Sequence, residues 1–274
     1  LFKNNKIILT FVALFVIFIS YLLLPTFYNQ SDISKELKNE LESKFDLNFE
    51  FSEDIKYNFF PRPNFTTINT IIIDDQEEIS KISKLKILIT FGNLFSIKNI
   101  EVKDIILENA NFNINAKNYN FFLKLLDKNF KNGNLTIKDG NIFFKNLDNE
   151  VLFINKALKI KYYYDHKELK NIFYSENEIF NIPFSVKSFF SEEKNNFFSQ
   201  INLNLIKLRI ENKLTFENEK KIGKSQIVFN KLKRFMKRLN LEDKVIWIDF
   251  TENVLQHLKK WQLFCLTFSQ SFAE

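Results

Sequence analysis

The sequence predicts an α+β fold that is mainly antiparallel β: one N-terminal transmembrane helix, a short amphipathic helix, then a curved, one-sided antiparallel sheet. Three observations carry this prediction. Residues Ile7 to Leu24 contain no charge. Ile33, Leu37, Leu41 and Phe45 then recur at helical spacing. From Leu47 onward apolar residues recur at every second position, between spacers rich in Asn, Asp and Lys, and this rhythm stops being convincing after Phe229.

The uncharged run is long enough to cross a hydrocarbon core of roughly 30 Å as a helix. Ile7, Leu14, Ile17 and Leu24 are among its expected membrane-anchor residues. The hydroxyls of Thr10 and Ser20 can bond back to helical carbonyls. Lys3 and Lys6 precede the run and Pro25 follows it, so the positive-inside bias keeps the short basic end cytoplasmic and exports everything after Pro25. A cleaved signal peptide is the competing reading. Its apolar core would be shorter, and Leu22-Leu23-Leu24-Pro25-Thr26-Phe27 offers no small-residue cleavage pattern. Residues 1–27 are therefore assigned to a cytoplasmic tip and anchor, 28–230 to an exported β domain, and 231–274 to a basic, helical C-terminal segment.

Residues 33–45 form a narrow apolar stripe, with Ser31 or Asp32 as the expected N-cap. Lysines and glutamates share the wet face. That mixture favours packing on the following sheet over lying on a membrane surface. The alternating segments begin with Phe49-Glu50-Phe51 and Ile55-Lys56-Tyr57-Asn58-Phe59 and run through Leu85-Lys86-Ile87, Ile100-Glu101-Val102 and Phe112-Asn113-Ile114 to Ile201–Leu205 and Leu214–Phe216. Asn109-Ala110-Asn111 and Lys138-Asp139-Gly140-Asn141 read as turns, so the strands are expected to be short and joined as a meander. Tyr119 to Phe130 reads as a short helix between strands. Period-two placement puts Phe49, Phe51, Tyr57, Leu85, Ile87, Ile89, Ile100, Val102, Phe112 and Ile114 on one apolar face.

Composition narrows the function classes. The chain has 274 residues, 45% apolar and 26% charged, as expected of a globular protein. It has 34 Phe but only 4 Gly and 4 Pro, a bias typical of an AT-rich genome, and its net charge of +6 has partly the same cause. The cations are spread along strands without forming a stripe, which argues against nucleic-acid binding. The single cysteine, Cys265, excludes an internal disulfide, and with only His166 and His257 it leaves no zinc site of the usual Cys/His kind. Both histidines read as solvated. No nucleophile elbow, metalloprotease helix or phosphate-cradling loop occurs. Asp74-Asp75 and Glu77-Glu78 read as a solvated turn. Nothing in the sequence points to catalysis, and no cofactor is expected.

One block carries a family resemblance. Phe60-Pro61-Arg62-Pro63 leads into Phe65-Thr66-Thr67-Ile68 and Ile71-Ile72-Ile73-Asp74. Ile82-Ser83-Lys84-Leu85-Lys86-Ile87-Leu88-Ile89 and the Gly92-Asn93-Leu94-Phe95-Ser96 turn follow, then Ile97–Val102 and Ile105–Ile114. This order behind a single anchor resembles the N-terminal region of the AsmA family of bacterial envelope proteins, over about residues 1–145. The chain departs from the family in the position of Gly92, ahead of Leu94-Phe95, and in its length, since members tend to be much longer. A short member or a truncated record would each account for that, and the absence of an initial Met favours truncation.

The resemblance implies an inner-membrane protein with a periplasmic sheet whose concave face is a groove for phospholipid, working in outer-membrane assembly and in the regulation of protein targeting to membrane. The ten face residues above then become lipid-groove candidates. The residues alone leave two readings open: an open groove that takes lipid, or a dry core in an anchored structural module that binds other envelope proteins by strand addition. Lys233, Arg234, Lys237 and Arg238 form a basic surface that would either meet anionic headgroups or decorate a solvated helix.

Overall fold

The computed structural model describes residues 2–229, apart from 52–53, 75–76, 93, 129, 192–195, 206 and 218–219. The chain starts with helix α1 (Phe2–Leu23), continues through a 3-10 turn (Leu24–Phe27) led by Pro25, and enters α2 (Gln30–Phe45). Thr10 donates its hydroxyl to the Lys6 carbonyl at 2.9 Å, the expected back-bond along α1. Leu24, expected inside the helix, belongs to the 3-10 turn because Pro25 stops the regular ladder. The α2 cap is Asn29, not Ser31 or Asp32: its side chain accepts from the Ser31 N–H at 2.9 Å, leaving Asp32 in the first turn against the helix dipole. Ile33, Leu37, Leu41 and Phe45 are all buried, so α2 packs on the sheet, principally against β1 and β5.

One sheet of 12 strands follows: β1 (Asn48–Glu50), β2 (Lys56–Asn58), β3 (Asn64–Asp74), β4 (Glu77–Ile89), β5 (Val102–Ile114), β6 (Asn134–Lys145), β7 (Val151–Asp165), β8 (Lys170–Ile179), β9 (Ile182–Ser191), β10 (Asn196–Leu203), β11 (Leu208–Glu217) and β12 (Lys220–Phe229). The strands are stacked in sequence order, with β1 and β2 sharing one edge of β3.

Two expectations are corrected here. The meander is broken once: β5 and β6 run parallel, with Asp104 beside Asn134 and Ile114 beside Phe144. The intervening residues return the chain to the starting end of β5. They carry α3 (Phe121–Lys124) and a 3-10 turn (Leu125–Asp127), the short helix expected between strands. Phe121, Leu125, Leu126 and Phe130 of this crossover are buried on the sheet. Gly133 ends it where a Cβ would stand 1.9 Å from the Lys103 carbonyl oxygen, an approach only glycine allows.

The second correction concerns the Asn- and Asp-rich spacers. Asn109-Ala110-Asn111 lies inside β5, and Lys138-Asp139-Gly140-Asn141 inside β6. Asn69, Asn109 and Asp139 adopt left-handed φ values of 51°, 53° and 53°, which short polar side chains tolerate, and the strand continues. They stand at one level across the sheet, because Ile68–Lys84–Glu108–Lys138–Lys159 are successive cross-strand partners on one side of that level. Core residues jump by three positions there, from Thr67 to Thr70, Ile82 to Leu85, Leu107 to Ala110, Ile137 to Gly140 and Ala157 to Ile160. The irregularity is therefore shared by β3 to β7, and each strand keeps its apolar residues on the core side of the sheet.

Candidate functional site

The ten predicted face residues do converge. Phe49, Leu85, Ile87, Ile89, Ile100, Val102, Phe112 and Ile114 belong to one buried cluster, none more than 8% exposed, and Phe51 and Tyr57 pack against it. Protein covers this cluster. Phe45 of α2 meets Phe130, Phe130 stacks on Tyr162 at 5.6 Å, and Phe112 contacts both Phe121 and Phe122 of the crossover. Tyr162 is fully buried and donates its hydroxyl to the Phe122 carbonyl at 2.7 Å; burial pushes its phenol well above the ordinary value. Eight of the ten thus lie in a protein-covered core, with Phe51 and Tyr57 half-buried at its margin. The physical reason is coverage: α2 packs on β1 and β5, and the crossover reaches β8 and β9.

The same face of the sheet continues beyond that roof. Cross-strand partners share a face, so it can be followed strand by strand. Leu85, Leu107, Ile137 and Ile160 of the core lead in register to Ser175, Val186, Ile201, Ile210 and Ile227. A neighbouring level runs from Ile105 through Leu135, Tyr162 and Phe173 to Ser188, Ser199, Asn212 and Ser225. On its far side Phe197 stands between Phe190 and Leu214. Val186, Ile201, Ile210 and Leu214 are only half-buried, and Ile227 is 53% exposed. Beyond β9, where the crossover's contacts end, the principal contacts of β10 to β12 are with their neighbouring strands. Among the described residues no helix lies over β10 to β12.

This open stretch is apolar with one polar level. Ser188 donates to Ser199 at 3.0 Å and Ser225 to the Asn212 side chain at 2.7 Å. Asn155, Asn177 and Ser175 make a second polar link, at 3.2 and 2.7 Å, where the covered core gives way to the open face. The Asn155 side-chain oxygen lacks a partner there. The opposite face carries Glu176, Lys187, Gln200, Glu211 and Lys213. Its aromatic pair, Phe189 and Phe198, is stacked at 4.9 Å with Lys170 at 3.5 Å over the Phe189 ring.

Ile7, Leu14 and Ile17 are exposed along α1. The acidic turn is a structural tie: Asp74 pairs with Lys124 and Glu77 with Lys117, both at 3.2 Å. His166 sits in the exposed turn after β7, edge-on to Tyr164. Among the described residues no group of three His, Cys, Asp or Glu side chains could hold a metal. Lys233, Arg234, Lys237, Arg238, His257 and Cys265 lie outside the described residues.

The apolar positions of β9 to β12 lie outside the ten residues that the sequence puts on the groove face. The alternation Ile201-Asn202-Leu203-Asn204-Leu205 was visible, but which strands lack a roof depends on where α2 and the crossover end. The helix over Lys6–Phe27 is long and apolar enough to cross a membrane. No protein-family model matches the chain, and no curated protein matches it.

Proposed function

We propose that this chain is a membrane-anchored, non-catalytic lipid-binding protein of the bacterial envelope, AsmA-like in its N-terminal region, which holds or conducts phospholipid along the sheet face of β9 to β12. The observation that carries the reading is the continuity of that face. It is one apolar surface, roofed by protein as far as the crossover's contacts with β8 and β9 and half-exposed from Val186 to Ile227. A contiguous apolar surface of this kind needs a cover, and acyl chains supply one at about 0.8 kcal/mol per buried CH₂. The register shifts at Ile72/Ile73, Leu88/Ile89, Phe144/Lys145 and Ala157/Lys159 support a bent sheet, since bulges bend the strands they interrupt. The resemblance and the positive-inside bias support an inner-membrane anchor with a cytoplasmic N-terminus and a periplasmic sheet, and with them a part in outer-membrane assembly and protein targeting to membrane.

The test is to purify the full chain from membranes, exchange it into lipid-free amphipol, extract and identify retained lipid by mass spectrometry. Stoichiometric phospholipid that is lost when Ile201, Ile210 and Ile227 are replaced together by Asn supports the reading. Retention unchanged by that triple replacement, or no lipid at all, removes it.

A further inference from the structure

We propose that Phe27, Phe60, Phe91 and Phe95 form an aromatic collar that seats the base of the β domain in the lipid surface where α1 leaves the membrane. The inference rests on α1 being the membrane anchor and is independent of any lipid on the sheet. Phe27, Phe60 and Phe95 are 84%, 79% and 78% exposed and Phe91 is 50% exposed. They come from three separate segments: the turn after α1, the loop before β3, and the loop after β4.

Three tyrosines bring those segments together around the end of α1. Tyr21, on α1, donates its hydroxyl to the Phe91 carbonyl at 2.9 Å and accepts from the Leu94 N–H at 3.1 Å. Tyr28 donates to the Leu94 carbonyl. Tyr57 of β2 donates to the Leu22 carbonyl at 2.8 Å, holding the β2–β3 loop against the same helix end. Leu94 is fully buried, so the loop after β4 is plugged into the domain while Phe91 and Phe95 on either side of it face outward. The Tyr21 and Phe95 rings stand 4.9 Å apart. The helix segment Lys6–Phe27 measures about 33 Å at 1.5 Å per residue, which matches a hydrocarbon core of roughly 30 Å and puts Phe27 at its boundary. Aromatic side chains concentrate at that boundary. A lipid surface is the occupant that fits, because the apolar span that enters it is continuous with the collar. The collar would set the near ends of β3 and β4 against the leaflet.

The experiment uses the full chain in phosphatidylcholine–phosphatidylglycerol vesicles, in a background where Trp247→Phe and Trp261→Phe remove the native tryptophans. Phe60→Trp, Phe95→Trp, Ile17→Trp and Phe180→Trp are made singly, and their fluorescence is quenched by phosphatidylcholine brominated at shallow or deep acyl positions. Phe180 is 79% exposed in the β8–β9 turn, at the opposite strand ends, and serves as the water-facing control. The expected result is shallow quenching for Phe60→Trp and Phe95→Trp, deep quenching for Ile17→Trp, and none for Phe180→Trp. If Ile17→Trp is quenched while Phe60→Trp and Phe95→Trp match Phe180→Trp, the collar is refuted and the anchor stands. If Ile17→Trp is not quenched either, the anchor reading falls and the collar with it.

Discussion

The Asp104 carboxylate takes two hydrogen bonds from Asn134, one from its backbone N–H at 3.0 Å and one from its side-chain amide at 2.9 Å. This pair ties the first residue of β6 to the third residue of β5, at the start of the sheet's parallel pairing. Arg62 adds an ion pair to the same carboxylate at 3.5 Å.

Replacing Asp104 by Ala should therefore cost about 1–3 kcal/mol, because two donors on Asn134 lose a charged acceptor in a half-buried site. Asp104→Asn keeps an acceptor oxygen and should cost less. Urea unfolding midpoints of the two variants check this order; equal losses would mean that charge, not the double acceptor, matters.

The left-handed residues in β3, β5 and β6 make a second demand. Asn109→Gly should be nearly neutral, whereas Asn109→Val should destabilise by about 1–2 kcal/mol, since a β-branched residue resists positive φ. Gly140→Ala should also destabilise, because its Cβ would stand 2.7 Å from the Ala110 carbonyl oxygen. Thermal melts of the three variants decide it, and a stabilising Asn109→Val would contradict the assigned backbone.

These positions show how far the sequence could be read. The helical stripe Ile33–Phe45 and the period-two runs identify α2 and the strands, because burial on one face writes itself locally. Asn109 and Asp139 mislead, since the same tolerance of left-handed backbone serves a turn and a mid-strand position where the register is kept. The parallel step from β5 to β6 is invisible for another reason: pairing is settled by contacts such as Asp104 with Asn134 that no local pattern contains. The apolar face was legible and its roof was not. Burial of Leu85 and exposure of Ile227 differ only by what lies above them, and the tyrosine clamp at α1 likewise joins residues 35 to 73 positions apart.

Alkaline pH should loosen that clamp. Burial, with Tyr28 and Tyr21 nearby, pushes the Tyr57 phenol up to about 12. An unfolded tyrosine ionises near about pH 10. Its contribution is thus fully present below that pH and is lost as pH rises from there toward the folded value, because only the unfolded state has released its proton. Wild-type protein should lose stability more steeply across this window than Tyr57→Phe. Parallel pH profiles of the two would contradict the assignment of Tyr57 to this titration.

A change of the polar level within the open face should alter lipid retention without unfolding the chain. Ser199→Val and Asn212→Val remove the hydroxyl and amide partners of Ser188 and Ser225. The double variant should hold apolar chains at least as well as wild type and should retain headgroup-bearing lipid less selectively, measured by mass spectrometry of bound species against the lipid pool. An unchanged lipid profile would assign the polar level to strand register alone.

The most direct test of the central claim is photocrosslinking with a benzoyl-phenylalanine at position 210, compared with one at position 85, in cells. Ile210 lies on the half-exposed stretch and Leu85 is fully buried under the roof. The account predicts a phospholipid adduct at position 210 and none at position 85. Adducts from position 210 that join only protein, whether residues 231–274 of the same chain or another polypeptide, would contradict it.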